Sequence, residues 1–441
     1  MAIILTVAGS DSVGGAGVEA DIKAISSMGA HAAVALTAVT AQNTSRLREI
    51  FPLPPEQVTA QITAVAEDVC ISAVKTGMLF SPRTVRAVAS LLTELKVPLV
   101  VDPVLFAGVG ASLHTEGLAG SLAKDLFPLA TVVTPNREEA ELLSGIKVTN
   151  EVSLEEIGNA LLDLGPRAVL LKGGHLEGNV ARDLLFTAEG VLEMVSPRLD
   201  RKVHGAGCTL SSFIATGLGL GMDPREAVQE AKRRIYDSIA MALPVGKGLL
   251  AINPMATLYK EAMRARVIEE VRSAVETIER RLPPQLVPEV GMNLAFALPY
   301  PQGYREICGV QGRLVRVGDS IRRAGDVRFG GSRHIARVVM AAAAADPEMR
   351  CVMNLRYSEE TLADLVSFGL EIGSFDRAEE PESVSSMEWG TSQAILGYGH
   401  VPDVIFDRGG VGKEPMVRVL GRDPEEVLGK IAGLMQGEDR P

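Results

Sequence analysis

The stretch VHGAGCTLSSFIATGL, Val203 to Leu218, reads as a tight glycine turn that opens a helix. Glycine lets the backbone turn sharply, and successive amides at a helix N-terminus form a natural seat for an anion. At that mouth sits Cys208. A free cysteine is ordinarily a small core residue. A helix N-terminus lowers its thiol below the usual value of about 8.5, whereas a bound phosphate raises it again, so both charge states stay open.

Working outward, short apolar runs alternate with helical patterns. AIILTVA, AAVALTAV, PLVVD, ATVVT and AVLLK read as strands, and PEQVTAQITAVAEDV and SPRTVRAVASLLTELK as helices. Buried strands alternating with helices predict a mostly parallel sheet covered on both faces. DLLFTAEGVLEMV reads as a hairpin turning at Glu189-Gly190, and two helices follow GAGC, to about Leu243. The chain has 441 residues, more than one core usually spans, so two domains are expected. Residues 266–282 place Val267, Val271, Ala274, Val275, Ile278 and Leu282 at helical spacing, and Pro283-Pro284 stops that helix. A boundary near Lys260 to Arg266 therefore separates a first unit, 1–260, from a smaller second α/β unit, 266–441, with strands MNLAFALP, GRLVRVG, CVMNLRY and DVIFD and helices HIARVVMAAAAA and EETLADLVSFGL.

A net charge of −11 argues against a nucleic-acid or anionic-membrane surface but leaves phosphorylated metabolites open, because helix N-termini and local Arg or Lys suffice for them. Cys70, Cys208, Cys308 and Cys351 form no C-x-x-C pair, so neither a zinc site nor a disulfide framework is expected, and a reducing cytoplasm fits. MAIILTVAGSD reads as a first strand and not a leader. No apolar run nears the roughly 18 residues that span a bilayer. GVGASL at Gly108 and GVGKEP near Lys413 are decoys: each lacks part of the nucleotide loop it imitates.

Several strands end abruptly in polar or glycine residues: AGSDSVGGAG, AQNT with Gln42 and Asn43, KTGML, VVDPV, TPNREE and LLKGGH. Strand carboxyl ends are where α/β sheets place ligands. In this order the segments resemble the hydroxymethylpyrimidine/phosphomethylpyrimidine kinases, a branch of the ribokinase-like kinases, across roughly residues 1–258. Val13 is a small departure, where the family often has Ser or Pro. The resemblance implies ATP as donor and Mg²⁺ as cofactor. Asp21 and Gln42 would then hydrogen-bond an aminopyrimidine, and Met78 would contact the ring. Asp102, Asn136 and Glu139 would lie at the metal, and Lys172 and Asp183 near the nucleotide. The amides of Gly205, Ala206 and Gly207 would hold the transferring phosphoryl. Cys208, where related sugar kinases carry Asp, would take the proton of the hydroxymethyl group.

In the second unit Arg313, Arg316, Arg333, Arg356 and Arg377 end strands or open helices. Arginines gathered in an acidic protein point to bound phosphates or to surface salt bridges. His334 stands at an expected helix start, where a lone His is more often structural. Residues 266–436 resemble the ThiN-type thiamine-phosphate synthase domain, often fused behind the pyrimidine kinase. The family's usual PGR reads Gln311-Gly312-Arg313 here. The resemblance implies condensation of the pyrimidine diphosphate with thiazole phosphate, with Arg313 and His334 leading in the site and Asn293, Lys413 and Glu414 behind them. It implies small-molecule partners only, without nucleic acid or membrane, and a homo-oligomer. Two alternatives stay open: a second unit that senses a pathway ligand without catalysis, and a kinase for another vitamin or sugar, with pyridoxal as a side substrate.

Overall fold

The structure is a computed structural model that describes residues 1–106, 115–149, 151–173, 180–381 and 386–435. The GVGASL run at Gly108, Gly174-His175 of LLKGGH, and one end each of SFDRAEEPE and SSMEWG lie outside the described residues. The chain divides into two units, Met1–Tyr259 and Lys260–Pro441.

In the first unit the described strands are β1 (Ile3–Asp11), β2 (His31–Gln42), β3 (Leu47–Pro52), β4 (Ala73–Thr76), β5 (Leu99–Val101), β6 (Val132–Val133), β7 (Ala168–Leu171), β8 (Val180–Thr187) and β9 (Gly190–Pro197). They form one sheet in the order β3-β2-β1-β4-β5-β6-β7-β8-β9. From β2 to β7 every pairing is parallel, while β3, β8 and β9 add antiparallel edges. The short β10 (Val203–His204) and β11 (Leu250–Ala251) pair separately. The helices are α1 (Gly17–Ser27), α2 (Pro55–Asp68), α3 (Pro82–Leu95), α4 (Leu118–Ser121), α5 (Arg137–Ser144), α6 (Glu151–Leu162), α7 (Ala206–Gly219) and α8 (Pro224–Ala240).

Strand alternation sorts the core into two layers. Leu5, Val7, Leu99 and Val101 pack with Val58, Ile62, Val85 and Val88 of α2 and α3. Their neighbours Ile4 and Val100 pack on the other face with Ile25, Phe213, Ile214 and Val228 of α1, α7 and α8. Each such side chain, fully buried, contributes roughly 1.5–3 kcal/mol. The chain first adds β2 on one side of β1 and then β4 on the other, so its strand order reverses there, and this opens a crevice at the carboxyl ends.

In the second unit, β12 (Leu294–Ala297), β13 (Ile307–Val310), β16 (Val327–Phe329), β17 (Cys351–Arg356), β18 (Ile372–Ser374), β19 (Val404–Asp407) and β20 (Met416–Gly421) make a sheet ordered β16-β13-β12-β17-β20-β19-β18. Only β18–β19 is parallel among its described pairings. GRLVRVG is not a strand of this sheet: β14 (Leu314–Val317) and β15 (Ser320–Arg323) form a separate hairpin. Its helices are α9 (Ala256–Arg281), α10 (Arg333–Ala345), α11 (Glu359–Ser367), α12 (Ser386–Tyr398), α13 (Pro424–Lys430) and α14 (Ala432–Met435). One sheet face receives the apolar stripe Val267, Val271, Val275 and Ile278 of α9; the other receives Ile335, Val338 and Val339 of α10 with Met387, Ala394 and Ile395 of α12.

The boundary expected near Lys260 to Arg266 falls within a helix, with the units dividing at Tyr259/Lys260. α9 begins at Ala256 and runs unbroken to Arg281, because no Gly or Pro falls between them to stop it. Its early residues serve each unit in turn: Thr257 donates to Asp237 of the first at 3.3 Å, and buried Lys260 pairs with Glu306 of the second at 2.7 Å. No described helix is long and apolar enough to cross a membrane.

Candidate active sites

A cavity of about 870 Å³ opens at the carboxyl ends of the parallel strands of the first unit. Its wall carries Asp11 from the end of β1, Gln42 from the end of β2 and Met78 after β4, then Asp102 after β5, Asn136 after β6 and Lys172 after β7. The Gly205-Ala206-Gly207-Cys208 stretch completes it. Gly205 is the left-handed N-cap of α7 at φ +94°, and a Cβ there would lie 1.8 Å from the Gly15 carbonyl oxygen. The opening glycine turn and the Gly205 turn therefore pack backbone to backbone, which only glycine permits.

The opening turn does not offer its amides to a ligand. Asp11 Oδ2 accepts from Gly15 N at 3.0 Å and Ala16 N at 2.8 Å, and Oδ1 from Val13 N at 3.1 Å. His204 Nε2 lies 3.2 Å from Oδ2. Burial raises the Asp11 carboxyl, but the bonds from His204, Gln42 and the backbone outweigh it and hold the group down at about 2. Asp11 and His204 escaped the reading of the sequence; a carboxylate ending the first strand before a glycine cluster was the available signal. Gln42 is held through Asp11 at the cavity rim. Met78 lies against Gly9, where an added Cβ would come within 2.6 Å of its Cε.

Asp21 corrects an expectation. It lies on the inner face of α1, is fully buried and does not line the cavity. Its oxygens are taken by Thr6 Oγ1 at 2.6 Å, Lys75 Nζ at 2.8 Å and Ser212 Oγ at 2.7 Å. With three buried partners on its carboxylate, it holds Lys75 beneath the wall.

At the mouth of α7, Lys172 Nζ pairs with Asp102 Oδ1 at 3.1 Å, which also accepts from Thr134 at 3.0 Å. A Cβ on Gly207 would sit 3.3 Å from Lys172 Nζ and 3.6 Å from Asp102 Oδ2, so this pair faces the first turn of α7. Asn136 and Glu139 form a reciprocal capping box on α5, each side chain accepting from the other's amide at 2.9 Å. The TPN-x-x-E motif thus has a helix-starting role of its own, legible from its spacing. Burial pushes Glu139 up to about 7, Lys172 opposes this, and Asp102 adds to it. Asp183 accepts from Gly173 N at 2.7 Å and from Lys232 Nζ, which leaves it at the cavity edge as an ion-paired group.

Cys208, half-buried, lines the same cavity. The thiol, left open between two opposed influences, is pushed up to about 11 by loss of water around the sulfur, against the pull of Lys75 and with the repulsion of Asp21 and Asp102. One turn of helix amides is a weaker influence than burial.

In the second unit a cavity of about 120 Å³ brings together Arg313, Ser332, His334, Asn293, Asn354 and Arg418. Arg313 occupies a left-handed conformation at φ +123° and donates from Nη1 to the Val290 carbonyl. His334 stands in the first turn of α10, exposed at the rim, and partial burial followed by Arg418, Arg313 and Arg377 keeps its imidazole below the usual range. Of the five arginines singled out, only Arg313 lines the cavity: Arg316 bonds Gly318, Arg333 stacks on Tyr304, Arg356 is exposed, and Arg377 pairs with Asp407. Asn293 lines it while its amide is spent on both Val310 backbone groups, at 2.8 and 2.9 Å. Lys413 pairs with Glu380. Glu414 accepts from the Glu289 and Val290 amides, so it holds the loop beside Arg313. Arg418 was missed.

Residues 11–253 match the phosphomethylpyrimidine kinase family, and residues 270–432 match the thiamine-phosphate synthase ThiN family. A bifunctional thiamine biosynthesis protein, ThiDN, of Methanocaldococcus jannaschii is 34% identical over 97% of both chains. A hydroxymethylpyrimidine/phosphomethylpyrimidine kinase of Streptomyces coelicolor is 44% identical over 56% of this chain and 92% of its own. The solved ADP complex of Bacillus subtilis pyridoxal kinase is 31% identical, with a TM-score of 0.55 over 59% of this chain and 99% of its own. With a ribokinase-like unit carrying one cavity and a second α/β unit carrying the other, the chain belongs to the ThiDN family of bifunctional thiamine-biosynthesis proteins, a phosphomethylpyrimidine kinase domain followed by a ThiN synthase domain.

Proposed function

We propose that the first unit phosphorylates 4-amino-5-hydroxymethyl-2-methylpyrimidine twice from ATP, and that the second joins the diphosphate to thiazole phosphate, giving thiamine phosphate and pyrophosphate. The observation that carries the kinase reading is the convergence of six strand ends and the Gly205–Gly207 loop on one cavity. Gln42, fixed by Asp11, offers an amide to the ring nitrogen and exocyclic amine; Met78 packs on the ring face. The hydroxyl oxygen attacks the terminal phosphorus, the bond to the departing ADP breaks, and the hydroxyl proton passes to Cys208 in its thiolate form, a minor form at neutral pH.

The carboxyl groups fit a Mg²⁺ ion. Asp102 and Glu139 are both buried, and Glu139 is raised by burial and by Asp102's charge, a strain that a cation relieves. No cluster of three or more acidic, His or Cys ligands exists among the described residues, which suits Mg²⁺ shared with nucleotide phosphates and water rather than a protein cage. When bound, it neutralises phosphate charge; Asp102, Asn136 and Glu139 would hold it.

In the second unit the thiazole nitrogen attacks the methylene carbon and the C–O bond to pyrophosphate breaks. Donors that receive the departing charge carry the catalysis, and the Arg313 guanidinium and the His334 imidazole line the cavity where it would develop. The full chain, given the pyrimidine alcohol, thiazole phosphate and Mg-ATP, should form thiamine phosphate. Arg313→Ala and His334→Ala should abolish that product while both kinase steps persist. Synthesis that survives both changes would misplace the site, and an equal fall in kinase activity would refute separate sites.

A further inference from the structure

Arg418 lies in the middle of β20 and is 2% exposed. Its Nη2 donates to Asp407 Oδ2 at 2.8 Å. Asp407 does not need it: Arg377 already binds that carboxylate through Nε at 2.5 Å and Nη2 at 3.1 Å. Two guanidiniums therefore share one buried carboxylate, and one positive charge is surplus. Arg418 Nη1 is buried and has no hydrogen-bond partner among the described residues. A buried charged donor without a partner is costly and calls for an explanation.

Its surroundings point to an anion. Arg418 lines the small cavity with Arg313, His334 and Ser332, and no acidic side chain lines it among the described residues. Ser332 is the N-cap of the thirteen-residue α10, yet its side chain caps no amide, so the first amides of that helix face the same region uncapped. Leu420, two residues on, packs against α10 and α12, which places Arg418 on that same sheet face.

The structure assigns Arg418 as a phosphate-binding residue of the synthase site: Nη1 donates to a non-bridging oxygen of a substrate phosphoryl group, whose other oxygens meet the first amides of α10. This rests on the synthase reading of the second unit. Two substrates carry the required chemistry, the pyrophosphoryl group of the pyrimidine diphosphate and the phosphate of the thiazole.

The test uses the full chain, with wild-type turnover measured first, because failure to make thiamine phosphate would overturn the synthase reading itself. Arg418→Met removes the surplus charge and leaves Asp407 held by two hydrogen bonds from Arg377, so no buried charge is left alone. It should weaken binding of one phosphate ligand tenfold or more, as loss of a charge-assisted hydrogen bond does. A weaker KM for the pyrimidine diphosphate together with weaker inhibition by inorganic pyrophosphate assigns the pyrophosphoryl group. A weaker KM for thiazole phosphate alone assigns the other. Arg418→Lys keeps a cation on Asp407 but has no second nitrogen at the Nη1 position, so it should unfold like wild type and still bind poorly; full rescue by Lys, or unchanged constants in both variants, overturns the assignment. Should neither variant fold, the wild-type His334 imidazole gives the answer by NMR: saturating pyrophosphate or thiazole phosphate should shift its titration upward, and an unmoved titration with both overturns the assignment.

Discussion

Cys208 tests whether burial or the helix N-terminus controls the thiol. At about 11, its thiolate fraction near pH 7.5 is on the order of 10⁻³ to 10⁻⁴. If that thiolate takes the hydroxyl proton, log kcat/KM for the first phosphorylation should climb by about one per pH unit from pH 7 to 9.5, because each unit multiplies the thiolate about tenfold. A thiol left near 8.5 would level off within that window. Lys75 does not interfere: burial lowers it, but Asp21, Cys208 and Asp102 together outweigh that and hold it above its ordinary range. The second acceptor, a phosphate monoester with a second pKa of about 6, is already ionised, so its profile should stay flat. Cys208→Ala should slow the first step by roughly 10²–10⁴-fold, remove the slope, and spare most of the second step. Cys208→Ser should behave alike. The assay is ADP release with the pyrimidine alcohol and, separately, with its monophosphate. Equal losses on both acceptors would refute the base role, and a plateau near pH 8.5 would refute the reasoning about burial.

Gly205→Ala places a Cβ 1.8 Å from the Gly15 carbonyl, so kinase turnover should fall more than tenfold while synthesis from supplied pyrimidine diphosphate continues; parallel loss of both would contradict separate sites. The Asp11 carboxyl is held at about 2 against an ordinary 3.8, so it contributes roughly 2 kcal/mol above pH 4, fading as pH falls toward 2. The gap in urea midpoint between wild type and Asp11→Asn should therefore shrink below pH 4, and a gap independent of pH would disprove the linkage. A fragment starting at Lys260 should be more stable than one starting at Arg266 by roughly 3 kcal/mol, since the shorter one leaves Glu306 without the buried Lys260. Matching denaturation midpoints would show that the pair contributes nothing.

The sequence by itself determined the layers and the edge on which the first site lies. Apolar runs such as PLVV and AVLL can only be covered strands, and each breaks into polar residues where the covering ends. Asp102, Asn136 and Lys172 were legible for that reason as residues at strand ends, as was the glycine turn that opens α7. The tertiary structure decided which groups face the cavity and in what charge state. The sequence singles out Asp21 and passes over Asp11 beside the same glycine turn, yet α1 turns Asp21 inward onto Lys75 and Ser212 while Asp11 stays at the wall. The Cys208 thiol is raised by burial, opposed by Lys75 and reinforced by Asp21 and Asp102, residues distant in sequence. In MVRVLG, Arg418 alternates with apolar neighbours like a solvent-facing residue; its burial follows from β20 pairing between β17 and β19 under α10 and α12. Periodicity shows which side chains share a face, and only the packing of the remaining chain decides whether that face meets water.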